Sequence, residues 1–366
     1  MFVIYRLPLS YTFVPGNKAP LMYMIKRLFS VICVVSLAIG VQAQDWKDYL
    51  PNVHGTIRGK YEYQTTTDEQ RFQVRNARIS LDGKVHELVG YKAEIDLSDE
   101  GQIKMLDAYA RITPMKDFNV TIGQMRVPFT IDAHRSPHQQ YFANRSFIAK
   151  QVGNVRDVGA TLGYTVSEGF PLVIEGGLFS GSGLTQQKEW HRILCYSAKL
   201  QLMPWENYNL TLSTQRIRPA ETNIYMYDAG TYYEWNNWHF EVEGLYKHYD
   251  NHMFSDVWAV DAFVNYDWFI RKKHFPFKKI SFLGRFDYMG DHSDGTTYGE
   301  AGSDREGLLT ITDYARKRIT GGVTFSFGKP FQADLRLNYE KYFYDNNSLA
   351  KASEQDKIVV EMMVRF

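Results

Sequence analysis

The sequence predicts an all-β chain, a single transmembrane antiparallel β-barrel of about sixteen strands, and three observations carry that expectation. In the final stretch, K-I-V-V-E-M-M-V-R-F, every second residue is apolar (Phe366, Val364, Met362, Val360 and Ile358), and the set between them contains Arg365, Glu361 and Lys357. Period two is the pleat of a strand with one apolar and one polar face. From Val53 onward, similar alternating segments follow one another with no helix-period run among them. Their connections sort by length, short and long in turn.

The composition permits such a wall. Of 366 residues, 15% are aromatic, with 25 Tyr and 23 Phe, which favours sheet. A mean hydropathy of -0.37 excludes a bundle of membrane helices but not a barrel, since half of each spanning strand faces water. The formal charge of +1 carries no polyanion signal.

Taken in order, the chain opens with a targeting signal over residues 24–43. Met24, Ile25, Lys26 and Arg27 form a basic head, residues 28–40 an apolar run, and Val41-Gln42-Ala43 a small-residue cleavage site that exposes Gln44. The run is too short to span a bilayer as a helix. Residues 1–23, with Pro8, Pro15 and Pro20, are either an extended front to this signal or the product of a start placed too early, the second being favoured. Removing residues 1–43 takes away Arg6, Lys18, Lys26 and Arg27 and no acid, shifting the net charge from +1 to -3. Of 2 cysteines, Cys33 lies in the signal, so Cys195 has no partner for a disulfide within the mature chain 44–366.

The expected strands are 53–65, 70–83, 88–98, 103–113, 118–127, 157–166, 171–180 and 192–203, then 208–218, 223–235, 238–249, 256–269, 279–291, 314–328, 331–344 and 357–366. Each is long enough to cross a membrane when tilted. If the first begins on the inner side, the inner connections (84–87, 114–117, 167–170, 204–207, 236–237, 329–330) are short and only 270–278 is longer. The long stretches 128–156, 181–191, 292–313 and 345–356 all fall outside. A soluble propeller or sandwich has no reason to sort loops by parity, whereas membrane barrels do.

The faces agree. In 88–98, Val89, Tyr91, Ala93, Ile95 and Leu97 alternate with Lys92, Glu94 and Asp96; in 314–328, Ile319, Val323, Phe325 and Phe327 alternate with Arg316, Arg318, Thr320 and Thr324. One strand breaks phase. Phe72 and Val74 are out of step with Ala77, Ile79 and Leu81, which predicts a bulge near Arg75 or a rim that leaves the membrane. Trp205, Trp235, Trp238, Trp268 and Phe269 flank inner turns, where an aromatic girdle belongs.

Three motifs carry a family resemblance. Gly123-Gln124-Met125-Arg126-Val127-Pro128-Phe129, Arg156-Asp157-Val158-Gly159, and Phe72-Gln73-Val74-Arg75-Asn76-Ala77-Arg78, in this order and spacing relative to the strands, resemble the phosphate-selective porin O and P family, with a likeness extending over Asp45 to Phe366. The resemblance implies an outer-membrane porin of a Gram-negative bacterium, trimeric assembly, and a loop after the fifth strand folded inward as a constriction. It implies passive diffusion of small hydrophilic solutes, with anions such as phosphate among them. The terminal Phe366, with Val364 and Met362, looks like the signal read by the barrel assembly machinery.

In loop 128–156, Arg135, Arg145, Lys150 and Arg156 stand against Asp132 as the only acid. Positive rings in a narrow pore attract anions, and arginine offers oxyanions a two-pronged fork. The same residues could bind anionic lipopolysaccharide at the rim, and Arg156 could pair with neighbouring Asp157. On the wall, phase turns Arg111, Arg316, Arg318 and Arg336 inward, but also Glu94, Asp107, Glu241, Glu243, Asp261, Asp287, Glu340 and Glu361. That wall is mixed, so the family's substrate is not carried over. No catalytic, nucleotide or metal motif is present, and no cofactor or enzymatic activity is expected. The alternative to a porin is a closed structural or adhesive barrel whose outer loops bind partners.

Overall fold

The computed structural model describes residues 49–272 and 274–366. The expected signal and the segment before it lie outside the described residues. Sixteen strands make up the rest: β1 (Asn52–Gln64), β2 (Glu69–His86), β3 (Val89–Asp99), β4 (Gln102–Met115), β5 (Phe118–Arg126), β6 (Arg156–Val166), β7 (Leu172–Phe179) and β8 (Cys195–Leu202). They continue as β9 (Tyr208–Ile217), β10 (Ile224–Trp235), β11 (Trp238–Tyr249), β12 (Val257–Phe269), β13 (Phe277–Met289), β14 (Arg316–Phe327), β15 (Gln332–Tyr344) and β16 (Lys357–Arg365). Every neighbour in sequence is a neighbour in the sheet, and β16 returns to β1, closing an antiparallel barrel. No helix among the described residues is long and apolar enough to cross a membrane.

Closure is a register, Thr56 opposite Arg365 through to Gln64 opposite Lys357. Beyond it, Phe366 N donates to Gly55 O at 3.0 Å and Gly55 N to Phe366 O at 2.8 Å. A Cβ at Gly55 would stand 2.3 Å from the Phe366 ring, so only glycine leaves room for the terminal aromatic there.

Alternation then sets the two faces. On β16, Ile358 and Met362 are exposed while Lys357, Val359, Glu361 and Met363 are buried. The phase break in β2 is resolved at Arg75, where Arg58 pairs with Asn76 and Gly59 with Val74, leaving Arg75 unpaired. The extra residue restores the apolar phase, so that Phe72, Val74, Ile79 and Leu81 are all exposed on the outer wall. Trp205, Trp235, Trp238, Trp268 and Phe269 are exposed beside the short turns of one rim. The opposite rim carries the long connections 127–155, 180–194, 290–315 and 345–356, beside the short ones 65–68 and 100–101.

The closing strand generates a test. Phe366→Ser and Gly55→Val should each lower the folded fraction in the membrane several-fold while leaving synthesis intact, read by heat-modifiable gel mobility. Unchanged mobility and yield for both would contradict the closure described.

Candidate functional site

The connection 127–155 leaves β5 and crosses the barrel interior. Its base is clamped by Val127 N donating to Val155 O at 3.0 Å. Thr130 has φ 56°, a left-handed conformation unfavourable for a β-branched residue, held where its N–H donates to Ser213 Oγ at 3.1 Å. Two short turns build the far end. Ser136 starts one over Pro137–Gln139, and Ser146 caps another over Phe147–Lys150, its Oγ accepting from Ala149 N at 3.2 Å. The Asp132 carboxylate ties the two arms together by accepting from both Ser146 N and Ser146 Oγ at 2.9 Å.

Three wall arginines hold three successive loop carbonyls. Arg58 of β1 donates to Ala143 O at 2.7 Å, Arg285 of β13 to Asn144 O at 2.9 Å, and Arg318 of β14 to Arg145 O at 2.8 Å. Ala143 N donates in turn to Asn338 Oδ1 of β15 at 2.9 Å. The other side of the loop is apolar. Phe129, Phe147 and Ile148 pack with Ile224, Met226, Leu245 and Met289, which occupy the inward phase of β10, β11 and β13. One side of the interior is therefore dry, and the other is polar.

The basic residues expected to meet a solute mostly meet carboxylates instead. Arg135 forks onto Glu241, Lys150 reaches Glu354 at 3.1 Å, and Arg145 donates to the carbonyl oxygens of Asp132 and Arg135. Arg156 pairs with Asp107 at 2.6 Å and Glu94 at 3.1 Å rather than with Asp157, whose carboxylate accepts from Gly181 N and Gly183 N. On the wall Arg318 meets Asp287, Arg336 meets Glu361, and Arg316 meets Asp313 and Glu354. Arg111 is exposed and donates to Thr121 Oγ1 at 2.9 Å.

Between the loop and the wall of β1, β2 and β16 lies a polar cavity. It has a volume of about 250 Å³ and is lined by Arg58, Lys60, Arg71, Arg75 and Arg78 of the wall. The loop adds Arg145 and Lys150, β16 adds Lys357, and the lining carboxylates are Glu62 and Glu100. Glu62 is shared by Arg71 at 2.5 Å, Lys60 at 2.9 Å and Lys357 at 3.9 Å, which leaves an excess of positive charge. The other cations also have partners, Arg58 with Glu361, Arg78 with Asp96 and Glu94, Arg75 with Asp99 and Lys150 with Glu354, of which Asp96 and Glu361 are fully buried. A second cavity of about 170 Å³ shares Arg78 and Pro137 with the first and reaches His54 and Asp82 near the short-turn rim. Neither β1 nor β2 figured in the inward set expected from sequence, and in β2 the bulge at Arg75 breaks the phase. Arg58, Lys60 and Glu62 alternating with Ile57, Gly59 and Tyr61 was the legible signal.

Residues 52–189, spanning β1 to β7 and all three motifs above, match the family model described as phosphate-selective porin O and P. No curated protein is similar enough to count as a relative. Among solved structures, an anion-selective porin from Comamonas acidovorans is 10% identical with a TM-score of 0.60, over 87% of this chain and 99% of that one. The outer membrane channel DcaP of Acinetobacter baumannii is 16% identical with a TM-score of 0.56, over 86% and 97%. OmpT of Vibrio cholerae in its trimer form is 9% identical with a TM-score of 0.57, over 87% and 99%. The chain is a porin of the Gram-negative outer membrane. Over β1 to β7 it matches the model of the phosphate-selective porin O and P family; the remaining strands share the barrel fold of the solved structures, not the family match.

Burial governs titration within the loop. It pushes the Asp132 carboxyl up, but Arg145, Arg285 and Arg135 more than offset this and bring it down to about 2. Burial, then Lys199 and Arg126, holds the His134 imidazole well below its usual range, and burial with Arg365 lowers His138 to about 4. A released histidine takes its proton at about 6.5, so the docked loop is fully favoured above that pH and loses stability as pH falls towards 4. Limited proteolysis should therefore cut 127–155 faster at acidic than at neutral pH, with His138→Gln narrowing the difference. Asp132→Ala, which leaves Ser146 N without its acceptor, should weaken docking by about 1–3 kcal/mol and speed the same cleavage at neutral pH. Identical rates in all cases would refute this account of the anchoring.

Proposed function

We propose that the barrel is a narrow, water-filled channel for passive diffusion of small hydrophilic solutes with a preference for anions, phosphate among them. The loop 127–155 acts as its constriction, and solutes pass between the loop and β1, β2 and β16. The observation that carries this is the lining of that passage, where Arg58, Lys60, Arg71, Arg75, Arg78, Arg145, Lys150 and Lys357 face Glu62 and Glu100. A low-dielectric constriction strengthens nearby charge over distant charge, so this excess governs passage more than the mixed wall does. The trimer form of Vibrio cholerae OmpT supports a homotrimeric assembly here too. The barrel assembly machinery is the expected partner of the terminal strand. Dry packing of the loop against β10, β11 and β13 favours low conductance, and a wholly silent bilayer would favour a closed structural barrel instead.

Reversal potentials across a KCl gradient test the reading. The wild-type channel should prefer anions, and the preference should fall towards unity in Arg75→Gln/Lys357→Gln and weaken in Arg145→Gln/Lys150→Gln. It should also weaken in 1 M salt, where the screening length is about 3 Å. Cation preference in the wild type, or variants that match it, would sink the anion path.

A further inference from the structure

The outer wall carries a feature that the channel does not use. At the long-loop ends of β12 to β15, strand register places Val260, Tyr288, Lys317 and Phe343 side by side in one outward row. The next row towards the membrane centre is Ala262, Phe286, Ile319 and Lys341. Lys317 is exposed and makes no hydrogen bond or ion pair among the described residues. Lys341, about half exposed, pairs with Asp356 and lies over the Phe343 ring.

The third row holds a gap. Gly284 of β13 and Gly321 of β14 are directly opposite each other, flanked by Val264 and Tyr339. Neither glycine has a left-handed backbone. A Cβ at Gly321 would meet nothing within 4 Å, and one at Gly284 only Val264 at 3.9 Å, so the protein itself does not require glycine at either place. Glycine weakens a strand interior, and one way such a residue is used is to let a ligand approach the backbone closely. Four residues of strand separate Lys317 from Gly321, roughly 13 Å at about 3.3 Å per residue. A depression of about 470 Å³ lies at the top of this face, lined by Val260, Phe286, Tyr288, Lys317 and Phe343. Asp345 is the carboxylate on that lining.

A cation on a lipid-facing wall is tolerated only near the interface, and there it stands at the level of lipid headgroups. We propose that this face of β12 to β15 binds a phosphorylated glycolipid of the outer leaflet, with a headgroup phosphate on Lys317 and Lys341 and an acyl chain lying in the Gly284–Gly321 notch. Lysine serves as a point charge for phosphate without demanding fixed geometry. The apolar and aromatic side chains around it accept the first carbons of the chain.

The full chain, reconstituted in nanodiscs containing either bis-phosphorylated lipid A or its dephosphorylated form, tests this by native mass spectrometry of retained lipid. The wild type should retain the phosphorylated form roughly tenfold better. Lys317→Gln/Lys341→Gln should lose that preference. Gly321→Leu keeps both lysines, adds a side chain where the structure has open space, and should lower retention of both forms. Wild-type protein that does not distinguish the two lipids, or a double variant that still does, would overturn the proposal. Should the double variant fold poorly, undiminished retention by Gly321→Leu would overturn the acyl notch independently. Conductance measured on the same samples should be unchanged in both variants, since these residues lie outside the lumen. A silent channel that still distinguishes the lipids would count against the anion path and leave the lipid site standing.

Discussion

Every feature of this protein follows from one constraint: within hydrocarbon, a backbone N–H or C=O without a partner costs several kcal/mol, so no sheet edge can be left open. Sixteen strands meet it by closing, and the last pairings run through the terminal residue itself, where Phe366 and Gly55 exchange two hydrogen bonds. Closure makes each strand two-faced. It also explains the bulge at Arg75: an extra residue is cheaper than turning Ile79 and Leu81 into the lumen or Arg78 into lipid.

A closed wall of this size leaves space that must be watered or filled, and this chain does both. The loop 127–155 brings its own unpaired carbonyls inside, and Arg58, Arg285 and Arg318 satisfy three in succession. Those arginines need counter-charges, which Glu361, Asp261, Asp287 and Glu340 supply from neighbouring strands. Buried ion pairs of this kind add little net stability, since desolvation offsets attraction, but losing one partner is expensive. Their use here is positional: they hold a loop of irregular backbone against one side of the barrel.

The functional consequence is an asymmetric interior. Against β10, β11 and β13 the loop packs dry on Met226, Leu245 and Met289. Against β1, β2 and β16 it faces more cations than acids. The mixed charge of the wall as a whole is thus compatible with a cavity lined mostly by cations, because Glu361, Asp261, Asp287 and Glu340 are consumed in anchoring while Glu62 is shared among three cations.

Alternation, loop parity and the terminal aromatic were enough to read the strand number, the closing pair, both faces and the bulge from the chain alone. These are local or nearest-neighbour properties, and period two with a hydrogen-bonded partner on each side leaves little freedom. The three motifs pointed to the family whose model matches residues 52–189. Which basic residues face open water was not legible. Arg135, Arg145 and Lys150 read as free, and Arg156 as free or paired with Asp157, because their partners, Glu241, the carbonyls of Asp132 and Arg135, Glu354, and Asp107 with Glu94, lie tens to hundreds of residues away or on the backbone. The inward apolar positions Met226, Leu245 and Met289 hinted at a docked loop, but only once its apolar side is known does the hint have a meaning. Sequence determined the wall, since its pairing is set by order along the chain; tertiary structure decided the charge of the interior, since that depends on which side chains the folded loop pairs and which line the cavity beside it.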